Sequence, residues 1–226
     1  YEIVLRDWSS DVCSSDLIAL SRRKPRDLYG ARHVPIDLTS AEDCRRAAAE
    51  LGGATHLIYA ALYEAPSLVD GWRDAGQIET NDRMLRNLMG ALEPAAPALK
   101  HVALLQGTKA YGVHVRPLTV PAREGRSEMY EQPNFYWVQE NFLRELQRGK
   151  SWHWSILRPV LIIGEAMGGA MDLIPPLGVY AAVLRAQGRP LDYPGGAPRV
   201  AQAVDVDLLA RAIAWSGDAA ADRKST

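Results

Sequence analysis

Two short stretches carry side chains suited to moving a proton. Gly107-Thr108-Lys109-Ala110-Tyr111-Gly112 is an abrupt polar turn, and Pro133-Asn134-Phe135-Tyr136-Trp137 reads as a break and a cap opening a helix. A Tyr hydroxyl, with an ordinary pKa of about 10, is a poor acid in water, yet beside a cation it becomes a useful proton donor or oxyanion stabiliser. Tyr136 could be that donor and Lys109 that cation. Spacing alone leaves a plainer reading open, in which Tyr136 is one more aromatic of an apolar helix and Lys109 a surface lysine. A third stretch, Ser21-Arg22-Arg23-Lys24-Pro25, is basic. An Arg fork donates two hydrogen bonds to phosphate oxygens and its plane can stack on a base. In a dinucleotide-binding sheet, Arg at this place accommodates the extra phosphate of NADP, whereas an acid would grip the ribose hydroxyls of NAD. The same cluster also reads as a solvated turn.

The elements that must position these residues alternate strand with helix. Residues 18–20 (IAL) and 34–36 (VPI) read as strands, and Ser40 caps a helix predicted over 41–51. Residues 55–61 (THLIYAA) form a third strand. Met84, Leu85, Leu88, Met89 and Leu92 recur at helical spacing within 80–92. Residues 101–105 (HVALL) form a fourth strand stopped by Gly107, residues 135–146 a helix, and residues 154–163 hold a fifth strand. One further helix, about 179–186, interrupts an irregular segment over 164–198. This alternation implies βαβ units and a parallel sheet covered on both faces. Ligands of such sheets collect at the carboxyl ends of the strands, where Ser21, Arg22, Arg23, Asp37, Lys109 and the loop after Ile163 fall.

The chain has 226 residues, 47% hydrophobic and 23% charged, with a formal net charge of −1. A packed core is expected, and no basic footprint argues for nucleic acid. No apolar run approaches the roughly 18 residues of a membrane span. Two cysteines, Cys13 and Cys44, make neither a disulfide framework nor a zinc site, which suits a reducing cytoplasm. His33, His56, His101, His114 and His153 show no ligand-like pairing with an acid, so no metal site is expected. Residues 1–17 show neither strand nor helix periodicity. Read back into codons, residues 6–17 fit a common short-read sequencing adapter, and residues 222–226 fit the reverse complement of its end. The expectation is therefore an insert over 18–221, truncated at both ends. Within it, 18–165 is expected to be the nucleotide-binding domain and 166–221 a small substrate cap. Such a fragment is expected to fold poorly and to bind nucleotide weakly.

Residues 55–62 (THLIYAAL), 79–92 (ETNDRMLRNLMGAL), 99–112 (LKHVALLQGTKAYG), 133–143 (PNFYWVQENFL), 154–164 (WSILRPVLIIG) and 177–195 (LGVYAAVLRAQGRPLDYPG) together resemble the short-chain dehydrogenase/reductase superfamily. Within it they resemble the atypical, PRISE-like branch of progesterone 5β-reductase and iridoid synthase. In the superfamily at large a Tyr is followed four residues later by Lys; here Tyr136 is followed by Glu140. In this branch the lysine comes from a GTK turn at the preceding strand end, and Lys109 lies in such a turn. The branch normally has a second Tyr where this chain has Trp137 and a His where it has Ala110. Its Gly-rich phosphate loop would precede Ile18.

The resemblance implies a Rossmann-like doubly wound α/β fold, NADP(H) as cofactor, and reduction of a C=C bond conjugated to a carbonyl in a small enone, or of a related carbonyl. Tyr136 and Lys109 would be catalytic. Ser21, Arg22, Arg23, Asp37, Leu38, Ala60 and Ala61 would bind the cofactor, the arginines at its extra phosphate. Gly107, Thr108, Lys109 and Tyr136 would meet its nicotinamide half, together with Pro159 and Val160. Arg158 is either part of that site or structural. Met167, Met171 and Leu173 would wall the substrate or simply fill the core. The resemblance leaves room for a homodimer, for a nucleotide-binding regulator without turnover, and for a nucleotide-sugar epimerase or dehydratase, against which Glu140 argues.

Overall fold

The computed structural model describes residues 17–64, 74–124, 129–164, 173–197 and 200–218. The terminal segments matched to adapter sequence, apart from Leu17, and Met167 and Met171 lie outside them.

Among the described residues, seven strands and five α-helices run in the order β1 (Ile18–Ser21), β2 (Arg32–Pro35), α1 (Ala41–Ala48), β3 (His56–Tyr59), α2 (Ala75–Ala95), β4 (His101–Leu105), a 3-10 turn (Thr108–Tyr111), α3 (Phe135–Leu146), β5 (His153–Leu157), β6 (Leu161–Ile163), α4 (Ile174–Ala186), β7 (Ala203–Asp205) and α5 (Val206–Asp218). Among the described residues every strand pair is parallel, in three hydrogen-bonded sets: β1 with β2, β3–β4–β5, and β6 with β7.

Alternation along β4 shows why both faces of the sheet are covered. Val102 and Leu104 point into a core with Leu85, Met89 and Leu92 of α2 and Leu143 of α3, all buried. Ala103 points the other way, against Leu209 and Ile213 of α5, with Leu105, Leu157 and Ile162 packed around them. With a side-chain period of two, a central parallel strand must be apolar on both faces, and HVALL is. Burying one such Leu contributes about 1.5–3 kcal/mol.

The helices begin where polar caps dictate. The Ser40 side chain accepts from the Asp43 N–H, Asp74 from Gln77, and Asn134 from Tyr136. The α2 start at Ala75, ahead of the expected 80, follows from the Asp74 cap. Helix α4 likewise begins at Ile174 rather than near 179, because Pro175 and Pro176 lie in the first turn, where a missing N–H removes no helical bond. The strand expected over 154–163 is two strands, parted at Arg158-Pro159-Val160, where Pro159 has no N–H to give a ladder. Residues 203–218, read from sequence without an element, return to the sheet: β7 pairs with β6, and α5 packs on its outer face.

Candidate functional site

The carboxyl end of β4 is the pivot. Gln106 continues the strand by donating its N–H to the Leu157 carbonyl at 2.9 Å, and Gly107 then leads into the 3-10 turn that carries Thr108, Lys109 and Tyr111. The turn stops at Gly112, whose φ of +78° belongs to the left-handed region. A β-carbon at Gly112 would also lie 2.3 Å from Met129 Cγ, so both conformation and space call for glycine.

Asn134 fastens this turn to α3. Its Oδ1 accepts from the Tyr136 N–H at 3.0 Å, and its Nδ2 donates to the Lys109 carbonyl at 3.2 Å. One buried amide thus caps the helix of Tyr136 and holds the turn of Lys109. The Tyr136 ring points back to the strand end. A β-carbon built on Gly107 would be 3.3 Å from the Tyr136 hydroxyl and 3.6 Å from the Pro159 carbonyl oxygen. Gly107, Tyr136 and Pro159, drawn from three segments far apart in sequence, therefore share one small space.

Electrostatics there favour a protonated phenol. Burial pushes the Tyr136 pKa well above its ordinary value and the Glu64 carboxylate adds to this, while the Arg158 guanidinium opposes it. Lys109 is half-buried, and desolvation draws its pKa down against the attraction of Glu64. Beneath Tyr136 lies a polar network. Arg158 donates from Nε to Gln106 Oε1 at 2.9 Å and pairs with the buried Glu140 at 3.2 Å. Gln106 Nε2 in turn donates to the Tyr136 carbonyl at 3.2 Å. Glu140 also pairs with Arg144 and accepts from the Tyr130 hydroxyl, both at 3.0 Å.

A second group forms where β1 and β2 end. Arg22 and Arg23 are exposed, and the charge of Arg22 reaches Asp37, whose pKa is lowered chiefly by hydrogen bonds from the Thr39 hydroxyl and N–H. Ser21 is engaged in its own turn: its hydroxyl donates to the Arg23 carbonyl at 2.6 Å and lies 3.1 Å from His33 Nε2. The Leu38 carbonyl accepts from Asn87 of α2 at 2.9 Å. Ala60 and Ala61, half-buried, follow β3, and Val160 is half-buried between β5 and β6.

Sequence reasoning missed Glu64 and the buried polar residues Gln106 and Asn81. Asn81 clamps the segment after β3, accepting from the Tyr63 N–H at 2.9 Å and donating to the Tyr63 carbonyl at 2.7 Å, beside Glu64. A signal existed: Gln77 and Asn81 are polar residues one turn apart on α2, both turned into the core. Among the described residues no helix is long and apolar enough to cross a membrane, and no group of three or more His, Cys, Asp or Glu could hold a metal ion.

Comparison with known proteins places this geometry in a family. A GDP-L-fucose synthetase from Naegleria fowleri bound to NADP is 16% identical with a TM-score of 0.61, covering 94% of this chain and 76% of that one. A partial-consensus L-threonine 3-dehydrogenase is 15% identical with a TM-score of 0.66, covering 92% of this chain and 65% of that one. These likenesses show the Rossmann fold. Among curated proteins, a 3-oxo-Δ(4,5)-steroid 5-β-reductase from Arabidopsis thaliana is 33% identical over 210 residues, covering 86% of this chain and 52% of the relative. An (S)-8-oxocitronellyl enol synthase from Camptotheca acuminata is 29% identical over 212 residues, with the same two shares. The chain thus spans about half the length of the curated relatives it matches. Residues 43–212, which include the β4 turn, α3 and the β5 end, match the PRISE-like Rossmann-fold domain, and the chain belongs to that family.

Proposed function

We propose that this chain is part of an NADPH-dependent reductase of small molecules in which a C=C bond is conjugated to a carbonyl, with Tyr136 as hydrogen-bond donor to the carbonyl oxygen. The observation that carries this reading is the Tyr136 hydroxyl held at the carboxyl edge of the sheet, against Gly107 and Pro159. The named relatives, a steroid reductase and an enol synthase, support the reaction class.

The residues present suit a nicotinamide dinucleotide. Glycine at position 107 leaves space beside the Tyr136 hydroxyl and the Pro159 carbonyl that a β-carbon would crowd. Arg22 and Arg23 offer a fork to a ribose phosphate, which favours NADPH over NADH. Asp37 and Leu38 would border the adenosine, with Ala60 and Ala61 along its path. Lys109 would hold the nicotinamide ribose, beside Thr108. Pro159 and Val160 would fix the carboxamide. When bound, the reduced cofactor supplies the hydride that adds to the β-carbon of the substrate.

Negative charge then develops on the substrate carbonyl oxygen. Tyr136 is a protonated phenol at neutral pH, as any tyrosine is, and burial with Glu64 holds it further from ionising, so it meets that oxygen as a donor and not as a phenolate. One preorganised donor of this kind stabilises the transition state by about 3 kcal/mol. Lys109 adds positive charge from the turn that Asn134 fastens to α3.

The test is Tyr136→Phe in the full-length protein, assayed by NADPH oxidation with cyclohex-2-enone. The expected result is a fall in kcat of about 100-fold with little change in KM for NADPH. Unchanged turnover would remove Tyr136 from the mechanism.

A further inference from the structure

Tyr136 lies on the first turn of α3, and the residue one turn further on is Glu140, a buried carboxylate. A charge in that position is costly unless it is paired and hydrogen-bonded. Glu140 is paired on both sides. One oxygen takes Arg144 and the Tyr130 hydroxyl, and the other takes Arg158, whose own side chain is only 14% exposed. Arg158 comes from the end of β5, next to Pro159. Its Nε is bound by Gln106 at the end of β4, and the same Gln106 amide donates to the backbone carbonyl of Tyr136. The guanidinium also lies 5.0 Å from the ring centroid of Tyr111 and 5.6 Å from that of Trp137. Tyr111 ends the turn that carries Lys109, and Trp137 follows Tyr136 in the chain.

Arg158 therefore touches all four segments that meet at the site: the β4 end, the 3-10 turn, the start of α3 and its own strand end. We propose that the Arg158–Glu140 pair, acting through Gln106, is the positioning device that fixes the direction of Tyr136. Arg158 and Glu140 are positioning residues and need not touch the substrate. The charge of Arg158 also acts on the Tyr136 hydroxyl itself, in the sense that eases proton donation.

This rests on Tyr136 being the donor, so the experiment separates the two ideas. Removing one member of a buried pair destabilises the protein by leaving a lone charge, whereas replacing both with apolar residues of similar size restores packing. The variants are Arg158→Met, Glu140→Met, the double variant, Gln106→Leu and Tyr136→Phe, each measured for melting temperature, kcat and KM for NADPH with cyclohex-2-enone. The expected result is that the double variant melts close to the parent while its kcat stays about 100-fold down, as misplacement of a reacting group produces. Gln106→Leu, which keeps the ion pair but cuts its link to the Tyr136 backbone, is expected to lower kcat about tenfold at unchanged KM. In a Tyr136→Phe background, Arg158→Met is expected to cause no further loss of kcat, because the two act as one unit.

Recovery of kcat together with stability in the double variant would make the pair merely structural and overturn the proposal. So would a Gln106→Leu protein with parental kcat, a measurement that stands even if the double variant does not fold. If Tyr136→Phe alone keeps full turnover, the failure belongs to the reading of Tyr136.

Discussion

The Tyr136 hydroxyl and the α-carbon of Gly107 stand so close that a single methyl group on the glycine would come within 3.3 Å of the phenol oxygen. Gly107 has φ −155° and ψ −177°, extended backbone that any residue adopts, so glycine is not needed there for the turn. What it preserves is the space beside the phenol.

Gly107→Ala should therefore separate stability from activity. The backbone accepts alanine, and the melting temperature is expected to stay within about 2 °C of the parent, as for substitutions worth less than about 0.5 kcal/mol. The phenol must yield by a few tenths of an ångström, and kcat is expected to fall about tenfold. Paired thermal melts and steady-state rates check this, and an alanine variant with parental kcat would show that the space is idle.

Arg22 should set the choice between the two nicotinamide dinucleotides. It is exposed at the end of β1, with Asp37 close enough to feel its charge. Arg22→Ala is expected to lower kcat/KM for NADPH by about tenfold to 100-fold while leaving NADH nearly unchanged, the loss of one charge-assisted phosphate contact. Equal kcat/KM ratios before and after the change would remove Arg22 from cofactor recognition.

Cys44 should be chemically quiet. It is 1% exposed on α1, and burial, with the nearby charges of Asp43 and Asp37, raises its pKa from 9.0 to about 11. In a Cys13→Ser background, a disulfide reagent at pH 8 is expected to react with Cys44 only after denaturant is added. The folded thiol keeps its proton where the unfolded one loses it, so its contribution to stability is complete below pH 9 and declines as pH rises from 9 to about 11. Urea midpoints of the parent, compared with those of Cys44→Ala across that window, read the difference; a parallel pair of curves would contradict it.

Much of the scaffold was legible because it is written locally. HVALL is apolar at every position after its histidine and became the central strand; Ser40 and Asn134 are good helix caps and became caps. The GTK turn and the start of α3 could be picked out as chemical, and Asn134 binds one to the other. What stayed hidden is what depends on partners distant in sequence. Glu140 appeared only as the absence of a lysine, because its partner Arg158 lies beyond the rest of α3 and the whole of β5. Gln106 reads as an ordinary polar residue ending a strand until Tyr136 and Arg158 are brought to either side of it. Helix α5 carries Leu209, Ala210 and Ile213 at helical spacing, a local signal, whereas β7 before it is three residues long and is defined by its pairing with the distant β6.

The buried carboxylate on α3 also bears on how such a site can change over generations. Exchanging Glu140 for lysine, one residue change, would set an ammonium group against Arg158 in a space with little water, a like-charge contact costing several kcal/mol. The arrangement with lysine on the helix and the arrangement with lysine on the turn are thus separated by an unfavourable intermediate. While Arg158 stays in place, the ion pair thus opposes moving the cation from the turn to the helix.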